Sequence, residues 1–160
     1  MSSSKVVILS FTHLITLVIG FALGIYLLPI LTAPDSPTTV EIQAQAVEAS
    51  YTTEFVRDLE GSDALHWGDG KVTISDRVIT FDGNISPGPD FKLYLSPEFV
   101  ETEADFEKIK SSMVQVGDVK TFDGFIVDVD SSIDIDQYTT VIIWCESFGE
   151  FITAAEYQRI

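Results

Sequence analysis

The stretch that decides the fold is Tyr138-Thr139-Thr140-Val141-Ile142-Ile143-Trp144-Cys145, the most apolar strand-like run after the first third of the chain. Its last five residues are all apolar, and three of them are β-branched. A short continuous run of this kind indicates a strand that is buried on both faces. We therefore expect this segment to lie at the centre of a sheet.

Shorter strands are expected on either side of this central one. Lys71–Ser75 and Val78–Phe81 alternate polar and apolar residues around the turn Ser75-Asp76-Arg77, which predicts a hairpin. The other strand-like segments are Phe91–Leu95, Val119–Val129 and Phe148–Ala155. Glu101–Ser112 begins with acidic residues and ends with lysines, an order that suits the helix dipole. The pattern predicts a mainly β domain over residues 60–160, a β-sandwich or Greek-key barrel with one helix.

A long apolar segment precedes this domain. Val6–Leu31 contains no charged residue, and as a helix it would be about 39 Å long, enough to cross a bilayer core of about 30 Å. A cleaved signal peptide is the alternative, but its apolar region is usually shorter, and cleavage after Ala33 would be hindered by Pro34. We expect an uncleaved transmembrane signal-anchor helix.

The charges that flank this helix predict its orientation. Lys5 and the terminal amine lie on the short side, which places residues 1–5 in the cytoplasm and the β domain in the periplasm or outside the cell. Residues 32–59 are interpreted as a partly helical linker, because apolar residues recur there at every fourth position. These residues are Val47, Tyr51, Phe55 and Leu59. Gly20 and Gly24 have the spacing of small residues that allows two membrane helices to form a homodimer.

The charge of the chain restricts its partners. The formal net charge is −16, and every basic residue except Lys5 and all 25 acidic residues follow the apolar segment. Such a domain repels nucleic acid, which we exclude as a partner, and it favours basic proteins or metal cations. Its acidic cluster lacks the residue order of a calcium loop and is interpreted as a solvated turn, with no metal site predicted. The cluster consists of Asp128, Asp130, Asp134 and Asp136.

Four stretches of the domain resemble the DM13 family, a small β-rich module that accompanies membrane and redox domains. They are His66–Val72, Gly88–Leu95, Gly117–Lys120 and Tyr138–Cys145 with Phe148 and Ala154 after it. The resemblance covers about residues 60–160. It implies a role in electron transfer for the cysteine after the tryptophan, here Cys145, and the family often has histidine at the position of His66. The stretch Gly149–Ile152 departs from the family pattern, and no haem-binding domain is fused to the chain, so a redox role requires a partner protein.

Cys145 and His66 are therefore the candidate site residues. Cys145 is either a redox-active thiol or a small buried side chain in a central strand. His66 is a possible second ligand, and a His–Cys pair would suit haem or copper if the fold brings the two residues together. No motif for covalent haem attachment, hydrolysis or phosphate binding is present, so a stand-alone enzyme is not predicted.

Two functions remain open from the sequence. The first is a membrane-anchored accessory of cell-envelope electron transfer that acts through Cys145. The second is a non-catalytic structural or protein-interaction domain in which Cys145 only packs.

Overall fold

The chain is described by a computed structural model that covers residues 3–160. Met1 and Ser2, which belong to the predicted cytoplasmic segment, lie outside the described residues. The helices are α1 (Ser3–Thr32), α2 (Thr39–Ala46) and α3 (Glu103–Ile109), and 3-10 turns occupy Lys110–Ser112 and Ile135–Gln137. The strands are β1 (Tyr51–Phe55), β2 (Gly68–Ile74), β3 (Val78–Ile85), β4 (Phe91–Ser96), β5 (Val114–Val119), β6 (Phe125–Asp128), β7 (Thr140–Cys145), β8 (Glu150–Glu156) and β9 (Gln158–Arg159).

The strands form two antiparallel sheets. One has the order β6-β3-β2-β1-β9 and the other β5-β4-β7-β8. Residues of both sheets share one apolar core, with Val72 and Phe81 from the first packing together with Leu93 and Val141 from the second. The mainly β class is therefore confirmed, in the form of two packed sheets rather than a closed barrel.

Strand β7 occupies the central position that its apolar run predicts. It pairs with β4 on one side and β8 on the other, and all six of its residues are buried. Because side chains alternate along a strand, Cys145 joins the core between the sheets, whereas Trp144 points to the opposite face. There Trp144 packs with Phe106 of α3 in a second apolar cluster. Helix α3 therefore covers the outer face of β7.

Helix α1 extends the predicted membrane segment by three residues at its start and one at its end. It is 30 residues long, none of its described residues is buried, and it is long and apolar enough to cross a membrane. Helix α2 follows after Thr38, whose side chain and that of Glu41 form a reciprocal capping box.

The helical interpretation of the spacing from Val47 to Leu59 is wrong, because the helix within residues 32–59 is α2, which ends at Ala46. Tyr51–Phe55 forms β1, which pairs with β2 and with β9, so this segment belongs to a sheet rather than to a spacer. Phe55 is fully buried in the core between the sheets. The two β-branched residues Thr52 and Thr53 favour this strand over a helix.

A second difference lies between α3 and β6. The sequence predicts one β-like segment over Val119–Val129, whereas the structure has β5 ending at Val119 and β6 starting at Phe125. The turn between them contains Gly124, whose φ of 112° is unfavourable for other residues. The predicted hairpin is confirmed as β2 and β3, and the helix is confirmed as α3 with its 3-10 extension.

Candidate functional site

A cavity at one end of the β domain brings His66 and Cys145 together. Its volume is about 320 Å3, and both residues lie in its wall. Cys145 is the last residue of β7 in one sheet, and His66 lies in the loop that leads into β2 of the other sheet. Sequence reasoning could name both residues, but it could not show that they share a cavity.

Cys145 is held by backbone pairing on both sides. It lies opposite Phe91 of β4 and Glu150 of β8, and its carbonyl accepts a hydrogen bond from the Gly149 N–H at 2.9 Å. The residue is 3 % exposed and is the free cysteine of the chain. Its thiol is therefore reached through the cavity and not from the protein surface.

The surroundings of the thiol keep it protonated. Burial is the largest influence on Cys145 and raises its pKa, and the negative charge of Asp90 acts in the same direction. The backbone N–H groups of Phe148, Asp90 and Ser147 oppose this shift without reversing it. A thiol with a raised pKa has little thiolate at neutral pH and is a weak nucleophile.

The basic residue nearest in sequence to Asp90 does not activate the thiol. Lys92 forms ion pairs with Asp90 at 2.9 Å and with Asp118 at 2.8 Å. Its hydrogen bond to Asp90 is the largest cause that lowers the pKa of that carboxyl, so Asp90 is ionised at neutral pH. Lys92 thus neutralises two carboxylates rather than stabilising a thiolate.

His66 is oriented by Asp63. The Asp63 carboxylate accepts a hydrogen bond from the His66 backbone N–H at 2.8 Å and lies 3.2 Å from Nδ1 of the ring. The His66 side chain is 27 % exposed. Within the described residues Nε2 has no hydrogen-bond partner, so it is the ring nitrogen left for a ligand. A carboxylate on one nitrogen is a common way to orient a histidine that binds through the other.

The loop that carries His66 is attached to the opposite wall of the cavity. Trp67 exchanges two hydrogen bonds with Ser86, at 3.0 and 3.2 Å, and Ser86 leads into the Pro87–Pro89 segment that lines the cavity. The Arg57 guanidinium lies 3.4 Å from the centroid of the Trp67 ring. These contacts fix the distance between two of the cavity walls.

Helix α1 forms a further side of the cavity. Ala22, Ile25 and Tyr26 line it, and Ile25 is partly buried whereas most of the helix is exposed. Phe148, which is 53 % exposed, lies at the same wall. The site is therefore built jointly by the β domain and by the helix that is long enough to cross a membrane.

The donor set of this cavity does not suit copper or haem. Among the described residues no group of three His, Cys, Asp or Glu side chains is placed to hold a metal ion, whereas a copper site of the His–His–Cys kind requires a third strong ligand. Haem carries two negatively charged propionates, but in the part of the chain that the structure describes the cavity wall contains no lysine or arginine to pair with them and carries the acidic Glu150. We derive no step through either group.

The other sequence candidates lie away from the cavity or at its edge. The acidic cluster forms local turns, in which Asp130 accepts hydrogen bonds from Ser132 and Asp134 accepts them from Asp136 and Gln137. Gly20 and Gly24 line a groove of about 590 Å3 between α1 and Phe148, and an added Cβ at either glycine would meet no atom within 4 Å. The structure shows one chain, so the predicted homodimer stays a prediction.

A polar cluster that sequence reasoning missed lies on the other face of β7. The Tyr94 hydroxyl donates a hydrogen bond to Glu146, and Lys110 forms an ion pair with the same carboxylate at 2.9 Å. Burial raises the pKa of Tyr94, and the hydrogen bond to Glu146 adds to this effect. Burial also raises the pKa of Glu146, but Tyr94 and Lys110 together outweigh it and leave that pKa lowered. No sequence pattern marks this cluster, because its members come from three separate elements.

Comparison with protein families gives one match. The family described as "Electron transfer DM13" matches residues 55–157, which include His66, Cys145 and all strands from β2 to β8. The match begins at Phe55, the last residue of β1, which the sequence analysis assigned to the linker. No curated protein and no solved structure matches the chain. The chain belongs to the DM13 family, which is associated with electron transfer.

Proposed function

We propose that this protein is a membrane-anchored accessory of electron transfer in the cell envelope, with Cys145 as its redox group. The observation that supports this most directly is the shared cavity of His66 and Cys145, which α1 closes on one side. Family membership supports the electron-transfer role, and the length and apolar composition of α1 support the anchor. The flanking charges favour a cytoplasmic N-terminus and a periplasmic or extracellular domain.

The burial of Cys145 restricts how electrons would reach it. A partner protein cannot place its own thiol against Sγ, because the residue is almost completely covered. A lone cysteine also cannot form a disulfide within the chain. Exchange with a partner would therefore use a small molecule in the cavity, with His66 present as a proton acceptor or donor.

Attachment to the membrane is tested by disrupting α1. The wild-type chain is expected to stay in the membrane fraction after a carbonate wash. A double variant with Leu14→Arg and Val18→Arg is expected to be released, because each arginine near the centre of a membrane helix costs about 3 kcal/mol. Both residues are exposed on α1 and do not line the cavity.

Val40→Arg and Val47→Arg form the matched control, since these residues are exposed around α2 and their change should leave the protein membrane-bound. Release of the wild type by carbonate would contradict the anchor. The orientation is tested by adding protease to cells whose outer barrier has been removed. If the domain lies outside the cytoplasm, the protease should digest it. Protection of the domain would show the opposite orientation.

The redox role is tested by replacing the thiol. In membranes of the source organism, Cys145→Ser should lower electron flow to an added acceptor to the level seen without the protein. The matched control is Ser132→Ala, in an exposed turn that does not line the cavity, which should leave the rate unchanged. Protein abundance and melting temperature are measured for both variants, so that a loss of folding is not read as a loss of function.

A structural or protein-interaction domain is the second candidate. It is favoured by the burial and raised pKa of Cys145, which also describe a cysteine that only packs. Its acidic surface would then bind a basic partner. Normal electron flow with a well-folded Cys145→Ser variant would select this function over the first.

A further inference from the structure

We infer that the cavity between α1 and the β domain binds the ring of a lipid-soluble quinone that enters from the bilayer. This inference rests on the proposed membrane anchor and names the small molecule that the buried site would receive. It is argued from the lining of the cavity, its access route and the charges around it.

The lining suits a neutral ring with hydrogen-bonding oxygens. Apolar side chains such as Leu65, Phe91 and Ile152 form most of the wall, and only a few polar groups interrupt it. A volume of about 320 Å3 lies at the lower end of the range of small-molecule sites, which is roughly 300–1,000 Å3. An acyl chain would leave Nε2 of His66 without a partner, whereas a hydroxyl of the ring in its reduced, quinol form can donate a hydrogen bond to it.

The access route leads along the membrane helix. The groove over Gly20 and Gly24 shares Ile25, Pro89 and Phe148 with the cavity, so the two spaces adjoin each other. Because neither glycine has a side chain, the floor of the groove is open over its length. An isoprenoid tail would fit along this groove while its ring occupies the cavity.

The charges select against acidic lipids. Glu150 lines the cavity, and the Asp63 carboxylate is bonded to His66 in the same wall. A fatty acid would place its carboxylate among these groups at a large electrostatic cost. A quinone is neutral and meets no such repulsion.

The inference is tested on the full chain in lipid nanodiscs with decylubiquinone, kept in its reduced quinol form by dithionite, as the probe. Because the chain has a second tryptophan, every protein compared carries Trp144→Phe, and the quenching of Trp67, which follows His66 directly, then reports a ring at the cavity. We expect saturable quenching in the wild type. His66→Ala should raise the midpoint about tenfold through the loss of one hydrogen bond. His13→Ala, which changes the other histidine of the chain, should leave the midpoint unchanged.

A second pair of variants keeps the test valid if His66→Ala misfolds. Ala22→Leu fills the cavity from an exposed position on α1 and should weaken binding, whereas Ala44→Leu on the exposed face of α2 should not. Linear quenching without saturation, or an equal midpoint in Ala22→Leu and wild type, would overturn the quinone site. Displacement of the probe by an equal concentration of palmitate would also overturn it and identify a fatty-acyl site.

Failure of the quinone site can be distinguished from failure of the proposed function. Carbonate resistance and the loss of electron flow in Cys145→Ser can both hold when decylubiquinone does not bind, and the redox role then stands without a quinone. Conversely, saturable binding together with normal electron flow in Cys145→Ser would keep the quinone site and remove the redox role of the thiol.

Discussion

Replacement of Trp144 by alanine is expected to lower the free energy of unfolding by about 3–5 kcal/mol, the usual loss for a fully buried tryptophan. Trp144 is 0 % exposed, and its ring stacks on Phe106 with centroids 3.9 Å apart and an angle of 10° between the planes. The ammonium group of Lys110 lies 5.6 Å from the Trp144 ring centroid. Because domains of this size are stable by only about 5–15 kcal/mol, the variant would lose much of its stability.

The measurement is denaturant unfolding of the full chain in detergent, followed by far-UV circular dichroism. Trp144→Phe is the matched variant: it keeps a ring on Phe106, and Nε1 of Trp144 has no hydrogen-bond partner within residues 3–160, so no hydrogen bond is lost. It should therefore lose clearly less than the alanine variant. Phe99→Ala, at an exposed phenylalanine, should change stability by only about 0.5 kcal/mol. Equal losses for alanine and phenylalanine at position 144 would contradict the importance of the stack.

The burial of β7 on both faces, one of them against this aromatic stack, explains why the strand could be recognised from sequence. Its apolar residues are continuous because one face meets the opposite sheet and the other meets α3, so no polar residue interrupts the run. The hairpin of β2 and β3 was equally accessible, since alternation and the turn at Ser75 are local features. Both predictions depended only on patterns among residues that are close together in the sequence.

Strand β1 was missed because its spacing fits two structures. Tyr51 and Phe55 are four residues apart, a separation that places side chains on one face of a helix and also on one face of a strand. Only the pairing with β2 and β9 decides between them, and that pairing involves residues distant in sequence. Strand β5 was not predicted over its residues before Val119, because Gly117 and Asp118 are unfavourable in strands and interrupt the pattern.

The candidate site was predictable by residue but not by geometry. Cys145 and His66 stood out because they are chemically rare in this chain. Their shared cavity depends on loops held by Ser86 and on a wall from α1, which the sequence analysis had assigned only to the membrane. Nothing in the local pattern of α1 shows that it also packs beside the β domain.

A large loss of stability is also expected from Gly70→Ala, about 2–4 kcal/mol. Gly70 lies in β2 with a φ of 144°, and an added Cβ would lie 2.5 Å from the carbonyl oxygen of Asp82 and from the Cα of Gly83. These atoms belong to the backbone of β3 and cannot rotate away, so the two strands would have to separate. Unfolding is measured as for Trp144.

Gly149→Ala separates crowding from backbone strain. Gly149 also has a positive φ, of 68°, but its Cβ would meet only the Trp144 ring at 3.9 Å. Its replacement should therefore cost about 1 kcal/mol through conformation alone. A similar loss at both glycines would show that the contact with β3 is relieved at little cost. A larger loss at Gly70 would show that the close approach of β2 and β3 is rigid. That rigidity matters for the site, because β2 begins two residues after His66 and β3 ends at Ile85, just before the Pro87–Pro89 wall.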